Sequence, residues 1–241
     1  MDYLKSEHLK FKRTISNKLI FIVPLITAIF AWIMGGYIGY QYMTLYWWYA
    51  FLLPGAIAIL CSLSHRKEEN AGKYYSVFSM PVNLSRFEFA KGIILVEKLL
   101  VSAIFLALLI SISNIIAPAT AVYSLLHSIT GSIGIILASV WQIPLCLYLA
   151  RKTGMFVPIV LNTILGIVLS TATALGNTIA WWFVPYCWAA KLAEPLMGIE
   201  MNGTYAGNCG FSIAIMISIS LSILLFLILS YADAKDFYKG R

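Results

Sequence analysis

The ionisable and nucleophilic side chains of this sequence form no familiar catalytic pattern. The segment AGKY at 71–74 lacks both the upstream glycine and the following hydroxyl residue of a nucleotide-phosphate loop. Neither HExxH nor GxSxG occurs, and the three histidines, His8, His65 and His127, lie in different segments. We therefore expect no catalytic residue, cofactor or metal in this chain, so any energy-consuming process must draw on a partner.

Two charged residues, Glu97 and Lys98, interrupt a long apolar stretch near one of its ends. An unpaired charge at the centre of a bilayer costs roughly 2.5–3.5 kcal/mol on insertion scales, and a position near the membrane surface lowers that cost. Lys98 can extend towards the headgroups, but adjacent helical residues do not face one another, so Glu97 needs a partner on another segment. This favours a structural ion pair with a basic group at another cytoplasmic helix end over a proton or substrate site.

These charges lie within one of six apolar stretches, each near the ~20 residues that span ~30 Å of hydrocarbon. Charged residues make up 11% of the sequence, against about 25% in a soluble domain, which excludes the soluble class. We predict an all-α membrane protein with six transmembrane helices in a single domain, residues 1–241. The predicted spans are Leu19–Tyr40, Tyr46–Ser64, Ile93–Ile116, Ser128–Ala150, Met155–Leu175 and Phe211–Tyr231.

Basic residues indicate the orientation of these spans. All but two of the 17 Lys and Arg residues fall in segments 1–18, 65–92, 151–152 and 232–241, and the loops between these segments carry almost none. By the positive-inside rule, the four segments and both termini are cytoplasmic. The net charge of +7 then suits anionic lipid headgroups rather than nucleic acid.

The first 18 residues predict an interfacial helix. Leu4, Phe11 and Ile15 fall near one helical face, whereas basic residues such as Arg13 lie elsewhere around the helix. Such a helix rests its apolar side chains in the acyl boundary and its basic ones among the headgroups. A disordered basic tail is the alternative.

The segment 65–92 is the longest predicted cytoplasmic connection and is too long for a plain turn. We predict a short helix from Glu68 to Phe78, ended by Pro81, and a new helix start at the capping box Ser85–Glu88. Exposed aromatic side chains on a basic background suit the docking of a soluble motor subunit, and a structured loop without a partner is the alternative. The residues assigned to this coupling surface are Glu68, Glu69, Tyr74, Tyr75, Phe78 and Pro81.

The segment 176–210 is apolar, but prolines and glycines interrupt it before any run reaches the length of a span. Paired half-helices that enter and leave the membrane on the outer side fit this pattern, because irregular backbone is tolerated where protein or water covers it. We predict a re-entrant external segment that forms a lid or substrate contact. Membership of the tryptophans in an interfacial aromatic belt, and a disulfide between Cys187 and Cys209, both stay open. The residues assigned to the lid are Trp181, Trp182, Lys191 and Glu194.

Five segments are distinctive when taken in order along the chain. They are SEHLKFKRT at 6–14, LPGAIAILCSLSH at 53–65, AGKYYSVFS at 71–79 with Pro81, WQIPLCL at 141–147 and WWFVPYCWAAK at 181–191. Together with six spans and no ATPase motif, they resemble the lantibiotic-immunity ABC transporter permeases of the MutE/EpiE type.

This resemblance implies a type-2 ABC exporter permease fold in a bacterial cell membrane. It also implies a second related permease subunit and two copies of a cytoplasmic ABC ATPase, which would bind ATP and Mg. The complex would expel a lantibiotic or similar antimicrobial peptide from the membrane, giving self-immunity or resistance. The family's coupling region falls on Glu68–Pro81, and its interfacial entry helix falls on Ser6–Thr14.

Two other readings of the same features stay open. A permease for another lipid-like antibiotic such as bacitracin would share all of them. A membrane sensor or scaffold, which binds peptide or lipid and signals to a kinase, belongs to a different class. A neighbouring ABC ATPase and second permease in the genome would favour transport, whereas a histidine kinase alone would favour sensing.

The charge asymmetry predicts which single cysteines an impermeant external thiol reagent can reach. In a background without the native cysteines, probes at Ser6, Asn83 and Lys239 should be shielded in intact cells, and a probe at Asn202 should react. Permeabilised cells provide the control, since all four probes should then label. Labelling of the Asn83 probe from outside would contradict the six-span topology.

Overall fold

The computed structural model describes Leu4, Glu7, His8, residues 14–70 and residues 84–239, with side chains from 86 to 236 in the last range. Helices dominate this part of the chain, and its only β pairing is an isolated antiparallel bridge between Ile199 and Tyr205. A π-helix spans Trp48–Leu52, and 3-10 helices span Pro118–Thr120 and Ile179–Phe183. The α-helices are α1 Ile15–Trp47, α2 Leu53–Asn70, α3 Leu84–Ile116, α4 Leu125–Ser139, α5 Gln142–Thr153, α6 Phe156–Ser170, α7 Thr173–Gly176, α8 Cys187–Met197 and α9 Ile213–Lys239.

The first helix folds back on itself at Gly36, whose φ of 56° and ψ of −159° are not helical. The rings of Phe30 and Trp47 have centroids 4.9 Å apart, although a straight helix would separate these residues by about 25 Å. Glycine adopts positive φ without the clash of a Cβ atom, so the reversal needs no loop. The sequence-based external turn at 41–45 is therefore wrong, because those residues are helical and the turn lies at Gly36.

Three helical stretches of the described residues are long and apolar enough to cross a bilayer: 15–70, 86–116 and 213–236. The pair α4 and α5, bent by 47° at its break, would make a fourth, and α6 is shorter. Helices occupy all six predicted apolar stretches, and the reversal at Gly36 divides the first stretch in two. A mostly helical membrane protein is thus confirmed, and the number of six crossings stays a prediction.

Pro54 organises the centre of the bundle. A proline has no N–H to donate to the carbonyl four residues earlier, and the chain just before Pro54 forms the π-helix. Asn162 of α6 donates its Nδ2 to the Pro54 carbonyl at 2.7 Å and to Gln142 Oε1 at 2.9 Å. Tyr186 Oη donates to Asn162 Oδ1 at 2.7 Å, which completes a buried polar network between three helical segments.

Gln41, in the part of α1 that follows the reversal at Gly36, links this helix to the last turn of α3. Its Nε2 donates to Ser113 Oγ at 2.7 Å and to Asn114 Oδ1 at 2.5 Å. Its Oε1 accepts from the backbone N–H groups of Val122 and Tyr123, both at 2.8 Å. The buried side-chain amide of Gln41 therefore joins α1 to α3 and to the connection between α3 and α4.

Candidate functional site

The predicted coupling surface is only partly described by the structure. Glu68 is buried and Glu69 is exposed in the last turn of α2, where Glu69 Oε2 lies 3.8 Å from His65 Nε2. Glu7, Thr14 and Glu68 line one small cleft, so the N-terminal segment meets the end of α2 there. The remaining members of this surface, Tyr74, Tyr75, Phe78 and Pro81, lie outside the described residues.

The predicted interfacial helix is likewise described in part. Leu4 is helical and exposed, and Ile15 is the exposed first residue of α1. Phe11 and Arg13 lie outside the described residues. An interfacial helix over 1–18 therefore stays a prediction, and its last residues already belong to α1.

Glu97 has two basic neighbours. Its Oε1 lies 3.6 Å from His8 Nδ1, in the N-terminal segment, and 3.7 Å from Lys98 Nζ. The structure thus places a partner from another segment beside Glu97. It also brings the ammonium group of the adjacent Lys98 within ion-pair distance of Glu97, because the lysine side chain is long enough to bend back along the helix.

A buried ion cluster joins the start of α3 to the last turns of α5 and α9. These are the helix ends that the charge asymmetry predicts to be cytoplasmic, and we call the group the inner ion cluster after that prediction. Glu88, Lys91 and Asp233 are 5%, 1% and 4% exposed. Arg151 lies between the two carboxylates, with Nη1 3.6 Å from Glu88 Oε1 and Nη2 paired directly with Asp233 Oδ1. Lys91 Nζ is 3.5 Å from Glu88 Oε1, so two cations balance two anions in a largely buried cluster, in which the Arg151 side chain is the most exposed at 13%.

Sequence reasoning missed this inner ion cluster. The sequence predicts Glu88 in a helix cap, but α3 already begins at Leu84 and the Glu88 carboxylate faces Lys91 and Arg151. For Arg151, the sequence pattern indicates only a cytoplasmic position. The signal that could have found the cluster is Asp233, an acidic residue at the end of a strongly apolar helix that must find a cation when buried.

A cavity of about 430 Å³ is lined by three of the four residues predicted for the lid: Trp181, Lys191 and Glu194. We call it the outer cavity, because the charge asymmetry predicts that this side of the bundle is external. Lys191 Nζ lies 2.6 Å from Glu194 Oε2, one turn apart on α8. Trp182 packs edge-on against Trp181 at 5.7 Å between ring centroids, and its carbonyl accepts from Trp188 Nε1 at 3.1 Å. The cavity's other walls are Pro195, Glu200, Ala206, Asn208, Ser212 and Ala214.

Helix α8 anchors this outer cavity to the bundle. Leu192 and Met197 are buried against glycines of α4, where a Cβ on Gly131 would fall 2.2 Å from the Met197 sulfur. Tyr123 Oη donates to the Met197 carbonyl at 2.6 Å, and His127 Nε2 lies 2.7 Å from the Leu196 carbonyl. The segment is thus packed on helices, and its entry into the bilayer stays a prediction.

The cysteine pair that the sequence left open is not bonded. Cys187 is buried with its Sγ 3.1 Å from the Leu169 carbonyl, and Cys209 is exposed, and both are free thiols. Desolvation raises the pKa of Cys209, which lowers its thiolate fraction at neutral pH. No group of three or more His, Cys, Asp or Glu side chains able to hold a metal occurs among the residues that the structure describes.

Long apolar helices with ion pairs buried between their ends are typical of a helical membrane-embedded protein. Comparison with protein families gives a match between residues 3–169 and the family described as ABC-2 family transporter protein. The chain therefore belongs to the ABC-2 transporter family. It is a membrane component of the type-2 ABC exporter class, whose members work with an ABC ATPase. No curated protein and no solved structure matches the chain.

The inner ion cluster predicts unequal effects for two neighbouring substitutions in α5. Arg151→Met removes the ion-pair partner of the buried Asp233 carboxylate and leaves Glu88 with Lys91 as its cation, and breaking a buried pair costs about 3–5 kcal/mol. Lys152→Met removes an ion pair to Asp236 whose side chains are 50% and 36% exposed and a 5.8 Å contact with the Tyr148 ring, and such exposed contacts add little to stability because water screens them. Thermal unfolding of the purified protein in detergent should therefore show a large loss of stability for Arg151→Met and a small one for Lys152→Met.

The same measurement has a rescue arm. Adding Asp233→Asn to Arg151→Met removes the carboxylate that lost its cation and should recover part of the lost stability. Equal unfolding temperatures for the two single variants would show that the inner ion cluster does not hold these helix ends together.

Proposed function

We propose that this chain is the permease subunit of an ABC exporter that expels a lantibiotic or a similar antimicrobial peptide from the membrane, giving self-immunity or resistance. The observation that carries this proposal is the ABC-2 family match over residues 3–169. The likeness of five segments to lantibiotic-immunity permeases supports the finer assignment of the substrate. The complex would contain a second related permease and two copies of the cytoplasmic ATPase, with both termini of this chain in the cytoplasm.

The coupling route of this proposal starts at the end of α2. An ATPase that docks on Glu68–Pro81 would push a segment that leads directly into α3 at Leu84. The inner ion cluster supports a role in passing this movement on, because Arg151 connects Glu88 of α3 with Asp233 of α9. The opposite end of α9 borders the outer cavity at Ala214. One rigid helix would thus link the cytoplasmic face to the outer side.

The coupling step is tested by removing aromatic side chains from the docking segment. Aromatic anchors commonly dominate interfaces, with losses of ~2 kcal/mol or more on truncation. The double substitution Tyr75→Ala and Phe78→Ala should therefore release the ATPase during copurification while the permease still inserts into the membrane. Tyr148→Ala removes another partly exposed aromatic, which lies in the last two turns of α5 and outside the docking segment. It is the matched control and should retain the ATPase. Full ATPase stoichiometry and normal transport-linked hydrolysis in the double variant would rule out this segment as the coupling element.

The function itself is tested in a lantibiotic-sensitive host. Expression of this chain alone should leave sensitivity unchanged, because no phosphate-binding loop is present in its sequence. Adding the cognate ATPase and the second permease should raise tolerance to one or a few related lantibiotics, with less peptide bound to the membrane and more in the medium.

A hydrolysis-dead ATPase is the decisive control for this experiment. Export needs ATP turnover, so tolerance should return to the baseline of the host. Protection that persists without hydrolysis would indicate sequestration of the peptide by binding, and the exporter proposal would then fail even though the resistance was real.

A further inference from the structure

The outer cavity has the size and the walls of a ligand site. Its volume of about 430 Å³ falls within the ~300–1,000 Å³ of small-molecule pockets. It lies between α8, the turn around the Ile199 and Tyr205 bridge, and the first turn of α9. Its charged walls are Lys191, Glu194 and Glu200, so the cavity carries one more negative than positive charge.

One of its carboxylates already holds a primary ammonium group. Lys191 Nζ lies 2.6 Å from Glu194 Oε2, and the lysine side chain is 13% exposed while that of Glu194 is 44% exposed. A direct, charge-assisted contact of this length is among the stronger hydrogen bonds in proteins. The Lys191 side chain therefore shows that a primary ammonium group fits against this wall of the cavity. Its positive charge also neutralises the carboxylate of Glu194.

The second carboxylate, Glu200, is fixed in place by neutral donors. Its Oε2 accepts from Thr204 Oγ1 at 2.7 Å and from Asn202 Nδ2 at 3.3 Å. The backbone of the turn holds it further, since Glu200 N–H donates to the Thr204 carbonyl and Gly203 N–H donates to the Glu200 carbonyl, both at 2.9 Å. No cation lies within ion-pair distance of Glu200 in the part of the chain that the structure describes, so its charge is available to a ligand.

The surface beside the outer cavity is apolar and exposed. Ile179 and Phe183 stand at the two ends of the 3-10 helix that contains the lining residue Trp181, and both are exposed. Phe211 and Ile213, equally exposed, flank the lining residue Ser212 at the start of α9. A ligand can thus place a charged group in the cavity and an apolar body on these side chains.

We infer that the outer cavity binds the primary ammonium group of an amphiphile, with Glu200 as its counter-ion and the Trp181 indole on the adjoining wall. Indole rings attract cations through their faces, which adds to the carboxylate's preference. The inference rests on the proposed function, because it specifies a chemical group that the exported substrate carries. Two kinds of amphiphile carry a primary ammonium group. One is a peptide, through a lysine side chain or its N-terminus, and the other is an aminophospholipid, through its headgroup.

The test is a binding cycle that needs no ATP. The probe is a fluorescently labelled amphipathic peptide with a blocked N-terminus and a single lysine, compared with the same peptide acetylated at that lysine. Its dissociation constant is measured by anisotropy on the full-length chain, purified with its associated subunits in phosphatidylcholine nanodiscs. Acetylation should weaken binding to the wild type about fivefold, and Glu200→Gln should weaken binding of the unmodified peptide by a similar factor.

The diagnostic result is that the effects of peptide acetylation and of Glu200→Gln on the dissociation constant do not add. In Glu200→Gln the acetylated and unmodified peptides should differ by less than about twofold, because the counter-ion is gone. Asn208→Asp adds a carboxylate to the same wall and should strengthen binding of the unmodified peptide only. Glu97→Gln removes an equal charge on a different helix and should leave both dissociation constants unchanged.

Nanodiscs in which phosphatidylethanolamine replaces half of the phosphatidylcholine distinguish the two sources. Unchanged peptide binding assigns the cavity to the peptide, and a loss of the Glu200-dependent part assigns it to the lipid headgroup. If acetylation costs the same factor in Glu200→Gln as in the wild type, the ammonium binds elsewhere and the inference is overturned. ATP-dependent tolerance in the sensitive host would survive that result, so this inference and the proposed function fail separately.

Discussion

The structure depends on one constraint: a polar group buried among apolar helices costs free energy unless it finds a partner within the protein. Pro54 illustrates this at the centre of the bundle, where its carbonyl is satisfied by Asn162, which is held in turn by Gln142 and Tyr186. Gln41 likewise finds its partners in the last turn of α3 and in the connection that follows α3. Because an unpaired buried polar group costs roughly 2–7 kcal/mol, each of these contacts selects one packing of the helices over its neighbours.

Charge obeys the same constraint more strictly. The inner ion cluster brings together Glu88, Lys91, Arg151 and Asp233, which come from three helices and cannot separate without leaving ions stranded. Moving one of these helix ends away from the others would therefore cost free energy, which favours their joint movement. This property is useful beside a segment on which a cytoplasmic motor is proposed to act, since a push on α3 reaches α5 and α9 together.

Hydropathy was sufficient to predict where the helices lie, because the bilayer demands about 20 apolar residues for each crossing and allows few other structures. It could not locate the reversal at Gly36, since a glycine turn without a loop leaves no polar interruption in the sequence. The pairing of Arg151 with Asp233 was equally invisible, because the two residues are 82 positions apart. The pairing of Lys191 with Glu194 was predictable because it is local to one helix.

The π-helix at Trp48–Leu52 has a mechanical consequence of its own. A π turn accommodates an extra residue that an α-helical turn would place in the next turn. Each residue of an α-helix advances the chain by about 100° around the axis and 1.5 Å along it. If this segment rewound to α geometry, α2 would rotate about its axis by about that angle, and Glu69 in its last turn would face a different direction. The extra residue of the π-helix at Trp48–Leu52 therefore defines the angle, about 100°, through which α2 would turn in such a change.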